Sequence, residues 1–160
     1  MLDLGAAPGG WSIVAHDRVG PSGAVVAVDT RSVEPIEGVS FIRARVEDPQ
    51  LISRLQGTPF DAVLADLSPR ISGAYATDHA RSIALTEAAF RVAEEVLAPG
   101  GNFVAKVFSG DLLEELESRL RPAFARLTRT KPPASRAHSS EVYLVGLGFR
   151  RAPSRAVRRP

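Results

Sequence analysis

Short apolar segments alternate along this chain with longer segments in which apolar residues recur at helical spacing. The apolar segments end at glycine, proline or an acidic residue, which is typical of buried β-strands. They predict strands at Leu2–Leu4, 24–29, 39–42, 60–65, 102–108, 124–129 and 141–147. The helical spacing predicts helices over about 10–19, 49–56, 78–97 and 111–119. The third helix is expected to stop at Pro99-Gly100-Gly101.

The order of these elements indicates the fold class. Strands that alternate with helices and are apolar on both faces form a mainly parallel sheet covered by helices on both sides. Only residues 131–140 separate the last two predicted strands, which is too short for a crossover helix, so one of them is expected to run antiparallel. The sequence therefore predicts one open α/β domain.

The composition excludes several classes of protein. Of the 160 residues, 44% are hydrophobic and 24% charged, as in a folded globular domain. No apolar run approaches the roughly 18 residues that a membrane-spanning helix needs, so a soluble cytoplasmic protein is expected. The chain has no cysteine, and His16, His79 and His138 share no ligand spacing, so neither disulfides nor a metal site is expected.

Positive charge is concentrated at the carboxyl terminus. The chain has 20 basic and 18 acidic residues, and five of its arginines lie in residues 150–160, which contain no acidic residue. Residues 1–149 therefore keep 15 basic against 18 acidic side chains, a net charge of −3. Such an end is either a solvated, disordered tail or an arm that binds phosphate, since clustered arginines attract nucleic acid.

A glycine-rich loop follows the first predicted strand. The run from Gly5 to Gly10 supplies small residues where the backbone must approach a ligand closely. It lacks the G-x-G-x-x-G pattern, and Pro8 removes a backbone donor that a pyrophosphate would use. Asp29 ends the second strand, and its carboxylate is suited to accept hydrogen bonds from ribose hydroxyls. Together these features predict a nucleoside ligand other than NAD.

A lysine lies at the centre of the apolar run 103–108. It is Lys106, in a chain where 18 of the 20 basic residues are arginine. Burial lowers the pKa of a lysine and can free its amine to act as a base. Asp66 and Glu141, at the ends of strands expected to adjoin this one, would raise that pKa. The alternative is a salt-bridged or snorkelling lysine without a catalytic role.

Four motifs, in this order, resemble those of a known family. They are Asp3-Leu4-Gly5-Ala6-Ala7-Pro8-Gly9-Gly10-Trp11-Ser12, Ala65-Asp66-Leu67-Ser68-Pro69, Lys106-Val107-Phe108, and Lys131-Pro132-Pro133-Ala134-Ser135-Arg136 leading into Ser140-Glu141-Val142-Tyr143. From Met1 to about Phe149 the chain resembles the FtsJ (RrmJ) family of S-adenosylmethionine-dependent RNA 2′-O-ribose methyltransferases. Any one motif is weak, but four with family-like spacing are highly specific.

The resemblance implies a fold, a cofactor and a catalytic site. The fold is a Rossmann-like class I methyltransferase domain over residues 1–149. The residues implied to hold S-adenosylmethionine are Gly9, Trp11, Asp29 and Asp66. Lys106 would be the general base that takes the proton of a ribose 2′-hydroxyl, and Asp66 and Glu141 would position it. These three match the last three members of a Lys-Asp-Lys-Glu tetrad, which works without a metal.

The resemblance also implies a substrate and partners. The expected substrate is a uridine of large-subunit ribosomal RNA, and the expected partner is that RNA or the large ribosomal subunit. Transfer RNA is the alternative substrate. The enzyme is expected to be a monomer.

Three features depart from the family pattern. The chain begins inside the first strand, without the usual N-terminal segment that carries the first tetrad lysine. We expect either that the start is truncated or misassigned, or that the protein works without that lysine. A non-catalytic remnant that binds cofactor or RNA is therefore an alternative function. Arg45 aligns with the acidic residue that contacts adenine in the family, with Glu47 and Asp48 close by. Arg70 stands where the family usually has asparagine.

Deletion of residues 150–160 is expected to weaken binding to RNA and to flatten its salt dependence, because fewer counterions are released when arginines are lost. The measurement is the slope of the logarithm of the binding constant against the logarithm of salt concentration, for the full and the shortened chain. An unchanged slope would show that this end makes no phosphate contacts.

Overall fold

The computed structural model describes residues 1–57, 59–133 and 139–151 as an alternation of strands and helices. The strands are β1 (Leu2–Leu4), β2 (Val25–Asp29), β3 (Val39–Arg43), β4 (Phe60–Ala65), β5 (Leu97–Phe108), β6 (Phe124–Thr130) and β7 (Glu141–Phe149). The helices are α1 (Gly10–Val19), α2 (Pro49–Leu55), α3 (Tyr75–Val96) and α4 (Leu113–Leu120), with a 3-10 turn at Arg121–Ala123.

The seven strands form one sheet in the spatial order β3-β2-β1-β4-β5-β7-β6. The strands from β3 to β5 pair in parallel, whereas β7 runs antiparallel to both of its neighbours. The short connection between β6 and β7 cannot carry a crossover, so the reversal of β7 lets these strands pair directly. The predicted fold class, a mainly parallel sheet with an antiparallel last strand, is confirmed.

The short strand β1 lies at the centre of the sheet, between β2 and β4. All three of its residues are buried. Leu4 pairs with Val28 on one side and with Ala65 on the other, so the carboxyl ends of the three strands lie side by side. The residues that follow these ends therefore meet at one edge, which is where open parallel sheets bind ligands.

The two faces of the sheet are covered by different helices. Side chains alternate between the faces along a strand, so Leu2 and Leu4 point away from Asp3. Asp3 faces α1, where it accepts a hydrogen bond from Ser12. Leu2 and Leu4 belong to the main hydrophobic core together with residues of α3. The predicted covering of both faces is therefore observed.

The start of α3 differs from the sequence prediction. The helix begins at Tyr75, earlier than the predicted start at Asp78. Asp78 lies inside the first turn, and its carboxylate accepts hydrogen bonds from the backbone N–H groups of Ser72 and Gly73 in the preceding loop. Its side chain therefore organises the loop before the helix, which its position in the sequence did not reveal.

The start of β5 also differs from the prediction. The strand begins at Leu97, directly after α3, although Pro99-Gly100-Gly101 follows within it. The pairing register between β4 and β5 shifts between Phe60 and Ala62, which accommodates these residues as an irregularity of the strand. A Cβ on Gly101 would lie 2.9 Å from the carbonyl oxygen of Ala98, so only glycine fits at this point.

Four phenylalanine rings join α3 to the sheet at the end of the core. Phe103 contacts Phe90 and Phe124 at ring-centroid distances of 5.8 and 6.2 Å, and Phe124 contacts Phe149 at 5.7 Å. Phe149 is buried as well. Aromatic rings bury large apolar areas and pack in specific geometries, so the contact between Phe90 and Phe103 holds β5 against α3.

Some sequence predictions fall outside the described residues. Arg136 and His138 lie in the range 134–138, and most of the predicted tail lies beyond residue 151. Arg150 is described, and its backbone N–H donates to the carbonyl of Ala123 at 2.7 Å, so the chain is still bonded to the domain there. Of the helices in the described ranges, none is long and apolar enough to cross a membrane.

Replacement of Phe103 by alanine should lower the free energy of unfolding by about 3–5 kcal/mol, because the ring is fully buried and its loss leaves a cavity beside the rings of Phe90 and Phe124. The measurement is chemical denaturation monitored by circular dichroism. Ile13→Ala, at a half-exposed position, is the control and should change stability by about 0.5 kcal/mol or less. Equal losses in the two variants would contradict the assignment of this core.

Candidate active site

The glycine-rich loop follows β1 and contacts the ends of both neighbouring strands, β2 and β4. The backbone N–H groups of Gly5 and Ala6 both donate to the carbonyl of Val28 at the end of β2. Gly5 has φ +84°, and a Cβ there would lie 2.9 Å from the carbonyl oxygen of Asp66. Glycine is therefore required at this position by both its backbone conformation and the closeness of β4.

Asp29 ties this loop to the end of β2. Its carboxylate accepts hydrogen bonds from the backbone N–H groups of Ala7, at 2.9 Å, and Arg31, at 2.8 Å. Oδ1 also accepts a hydrogen bond of 3.4 Å from the hydroxyl of Thr30, whereas Oδ2, bonded to Ala7, can accept a second hydrogen bond. The side chain lines an adjoining cleft, so Asp29 is positioned by the backbone and still faces the space where a ligand would lie.

Lys106 is held between two carboxylates. Its Nζ lies 2.7 Å from Oδ1 of Asp66 and 3.4 Å from Oε1 of Glu141. Asp66 follows β4, whose last residue, Ala65, pairs with Ala105 next to Lys106. Glu141 begins β7, and because this strand is reversed its first residue lies at the same edge of the sheet as the end of β4. The predicted cluster of Asp66, Lys106 and Glu141 is therefore present.

The sequence left open whether burial or the two carboxylates dominate the pKa of Lys106, and the structure indicates the answer. Its side chain is only 11% exposed, and this burial lowers the pKa of the amine. The hydrogen bond and charge of Asp66, together with the charge of Glu141, outweigh the burial, so the pKa of Lys106 is raised above its ordinary value. Lys106 is consequently an ammonium group at neutral pH in the free protein.

An aromatic pair lies beside this cluster. Trp11 on α1 stacks against Tyr143 on β7, with ring centroids 5.9 Å apart and an interplanar angle of 17°. Tyr143 pairs with Lys106 in the sheet register. Tyr143 is only half-buried, because it points to the face of β7 opposite its buried neighbours Val142 and Leu144. Burial and the nearby charge of Asp66 raise the pKa of Tyr143.

A cleft of about 910 Å³ opens at the carboxyl ends of the strands. It is large enough for a nucleoside-sized ligand. Its walls carry carboxylates from the ends of β2 and β4, the amine of Lys106 and several arginines. The residues of most chemical interest along it are Gly5, Asp29, Arg45, Asp66, Arg70 and Lys106.

Not every predicted site residue lines this cleft. Among the predicted site residues, all of which the structure describes, Gly9, Trp11 and Glu141 lie outside the lining of the cleft. Gly9 precedes α1 with φ +118°, and a Cβ there would lie 3.1 Å from the side chain of Ile36. Trp11 borders a separate apolar pocket of about 330 Å³ with Met1 and neighbouring residues. The cofactor roles of Gly9 and Trp11 therefore stay predictions.

The sequence reasoning missed a buried acid beneath the glycine loop. Asp3 is fully buried, and its Oδ2 accepts a hydrogen bond of 2.6 Å from the hydroxyl of Ser12. Among the described residues its other oxygen, Oδ1, has no hydrogen-bond partner. Burial raises the pKa of Asp3, and the charges of Asp66 and Asp29 add to the rise. The sequence feature that could have predicted this buried acid is the position of Asp3 between two leucines in an otherwise apolar strand.

The fold and the site define a class of protein. A seven-stranded sheet with a reversed β7, a glycine loop after β1 and a cleft across the carboxyl ends of β1, β2 and β4 constitute a Rossmann-like class I methyltransferase. The family model described as FtsJ-like methyltransferase matches residues 1–149. The chain belongs to this family.

Curated relatives and a solved structure agree with this assignment. The chain is 46% identical to Ribosomal RNA large subunit methyltransferase E of Archaeoglobus fulgidus, in a match that covers 94% of the chain and 78% of the relative. It is 45% identical to the protein of the same name from Halorubrum lacusprofundi, over 96% of the chain and 59% of the relative. A crystal structure of a Plasmodium falciparum protein assigned as a ribosomal RNA methyltransferase is 26% identical, covers 92% of this chain and 85% of that chain, and superposes with a TM-score of 0.81.

The pKa of Lys106 is expected to lie above the ordinary lysine value of about 10.4. Removal of either carboxylate charge should lower it, and Asp66→Asn should lower it more than Glu141→Gln because Asp66 makes the shorter contact. The measurement is an NMR titration of ¹³C-labelled lysine side chains. The chain has only one other lysine, Lys131, so assignment needs a single variant. A pKa below the ordinary value in the native chain would show that burial dominates.

Proposed function

We propose that this protein transfers a methyl group from S-adenosylmethionine to a ribose 2′-hydroxyl of RNA, on a uridine of large-subunit ribosomal RNA. The family supports methyl transfer, and the names of the relatives support ribosomal RNA as the substrate. A cytoplasmic, monomeric enzyme with ribosomal RNA or the large ribosomal subunit as its partner belongs to this proposal.

The residues along the cleft fit the cofactor. The carboxylate of Asp29 would accept a hydrogen bond from a ribose hydroxyl through Oδ2, which is bonded only to the backbone N–H of Ala7, whereas Oδ1 already accepts from Arg31 and Thr30. Gly5 keeps the loop close to β4 and presents backbone without a side chain. Asp66 lines the same cleft, and Gly9 and Trp11 are further predicted contacts. When bound, S-adenosylmethionine supplies a methyl group that its sulfonium already activates.

The observation that carries the proposal is the position of the Lys106 amine. It is shielded from solvent, lines the same cleft as Asp29, and is held at a fixed point by Asp66 and Glu141. A positioned amine of this kind can act as a general base for a hydroxyl group. Lys106 takes the proton of the ribose 2′-hydroxyl and leaves the oxygen as the nucleophile.

The raised pKa constrains this mechanism. At neutral pH the amine carries a proton and must lose it before it can accept one from the ribose. Only a minor fraction of the free protein therefore carries Lys106 as a neutral amine at neutral pH. While the pH stays below the pKa, this fraction increases tenfold for each unit by which the pH is raised. Asp66 and Glu141 thus hold the amine in position but lower the fraction of it that is neutral. The fixed position of the reacting groups increases the reaction rate and compensates for this loss.

Lys106→Ala is expected to abolish methyl transfer while the affinity for S-adenosylmethionine stays nearly unchanged. Lys106→Arg is the matched variant, because it keeps the positive charge between Asp66 and Glu141 but cannot give up its proton. Both variants should be inactive in transfer of a tritiated methyl group to large-subunit RNA, and both should bind the cofactor in calorimetry. Activity in Lys106→Arg equal to that of the native chain would remove the base from the mechanism.

The same assay separates the alternatives. Incorporation into transfer RNA, with none into ribosomal RNA, would make transfer RNA the substrate, and mapping of the modified nucleotide would test the assignment to uridine. Cofactor binding without incorporation into either RNA would identify a non-catalytic remnant that binds cofactor or RNA.

A further inference from the structure

One face of α3 carries a row of buried polar side chains. His79, Ser82 and Thr86 are each no more than 4% exposed, and their spacing along the helix places them on one side. Polar groups are rarely buried to this extent unless they are hydrogen-bonded. Their hydrogen bonds run to β5 and to the loop that follows it, in the part of the strand that carries Lys106.

The backbone of β5 needs partners at this point. Pairing between β4 and β5 ends where Ala65 meets Ala105, whereas β5 continues to Phe108. On its other side β5 remains paired with β7 as far as Phe108, which lies opposite Glu141. The last residues of β5 therefore have a strand on one side only, and a buried backbone group left unpaired would cost free energy.

Ser82 and His79 supply the missing partners. The N–H of Phe108 donates to the hydroxyl oxygen of Ser82 at 3.0 Å. The carbonyl oxygen of the same residue lies 3.1 Å from Nδ1 of His79. Thr86 donates to the carbonyl of Ser82 at 3.0 Å, and its hydroxyl oxygen lies 3.5 Å from the carbonyl oxygen of Lys106. Both backbone groups of Phe108 are thus bonded to α3.

The hydrogen bonds define the state of the His79 ring. The backbone N–H of Leu112 donates to Nε2 at 3.1 Å, so this nitrogen is the acceptor and Nδ1 carries the proton that is donated to Phe108. The ring is closely enclosed, because a Cβ on Gly110 would lie 2.7 Å from it. His79 therefore joins the end of β5 to the start of α4 in one orientation.

We propose that Ser82 and His79 are positioning residues that clamp the end of β5 and so hold Lys106 and Glu141 at their working separation. This clamp consists of the hydrogen bonds from Ser82 and His79 to Phe108. Phe108 is two residues from Lys106 and lies directly opposite Glu141 in the strand register. Movement of Phe108 would change the 3.4 Å contact between Lys106 and Glu141 and the reach of the amine. This inference rests on the proposed function of Lys106 as the base.

The test compares variants that remove single bonds of the clamp. Ser82→Ala removes the acceptor of the Phe108 N–H, and Ser82→Thr restores a hydroxyl. His79→Asn keeps a donor where Nδ1 lies and loses the acceptor for Leu112, whereas His79→Gln keeps that acceptor and loses the donor to Phe108. Ser118→Ala, on the exposed side of α4, is the control for loss of a helix serine.

In Ser82→Ala and His79→Gln, kcat for methyl transfer to large-subunit RNA should fall about 10- to 100-fold, because small displacements of a positioned group have effects of this size. The KM for S-adenosylmethionine should not change. Ser82→Thr and His79→Asn should recover most of the activity. A purely structural role predicts instead that the losses follow the melting temperatures and are equal in His79→Asn and His79→Gln. That result, or native kcat in Ser82→Ala, would overturn the inference.

Two measurements without RNA keep this inference separate from the proposed function. In Ser82→Ala the Phe108 amide should exchange with solvent faster, and the NMR titration of Lys106 should move toward lower pH as its carboxylates loosen. If the native chain transfers no methyl group but these changes occur, the positioning role of Ser82 and His79 is supported and the proposed function is wrong. If neither change occurs in a folded Ser82→Ala protein, the clamp is wrong whatever the activity.

Discussion

The contact between the amine of Lys106 and the carboxylate of Asp66, 2.7 Å long, is the interaction on which the arrangement of the site depends. A lysine inside an apolar strand loses hydration, and a buried charge persists only where opposite charge and hydrogen bonds compensate it. Asp66 and Glu141 provide that compensation because β4 ends next to Lys106 and β7 is reversed. The order and direction of the strands are therefore conditions for a stable buried amine.

The unequal lengths of β4 and β5 connect the site to the rest of the fold. β5 extends beyond the end of β4, so its last residues have no strand partner on that side. Here α3 turns polar side chains toward that edge, so Ser82 and His79 replace the hydrogen bonds that β4 does not supply. The extra length of β5 therefore explains why α3 must supply hydrogen bonds at this point.

Three acidic groups lie close together near the carboxyl ends of the central strands, at a cost in stability. Asp3, Asp29 and Asp66 follow or lie within three adjacent strands, and their mutual repulsion contributes to the raised pKa of Asp3. Because folding favours the protonated form of Asp3, ionisation of this carboxyl opposes the folded state. Carboxylates concentrated in this way are typical of sites shaped by function more than by stability. Backbone N–H groups offset part of the cost at Asp29.

The amino-acid sequence by itself determined the alternation of strands and helices, the reversed last strand and the three residues Asp66, Lys106 and Glu141, because periodicity, connection length and local motifs are encoded in neighbouring residues. It did not determine the sign of the pKa shift at Lys106, since desolvation and two carboxylates oppose each other and only distances decide between them. The half-buried position of Tyr143, the burial of Asp3 and the bonds from α3 to Phe108 were likewise decided by tertiary structure. Each depends on which elements become neighbours after folding, and hydrogen bonds between residues far apart in the chain leave no periodic pattern in the sequence.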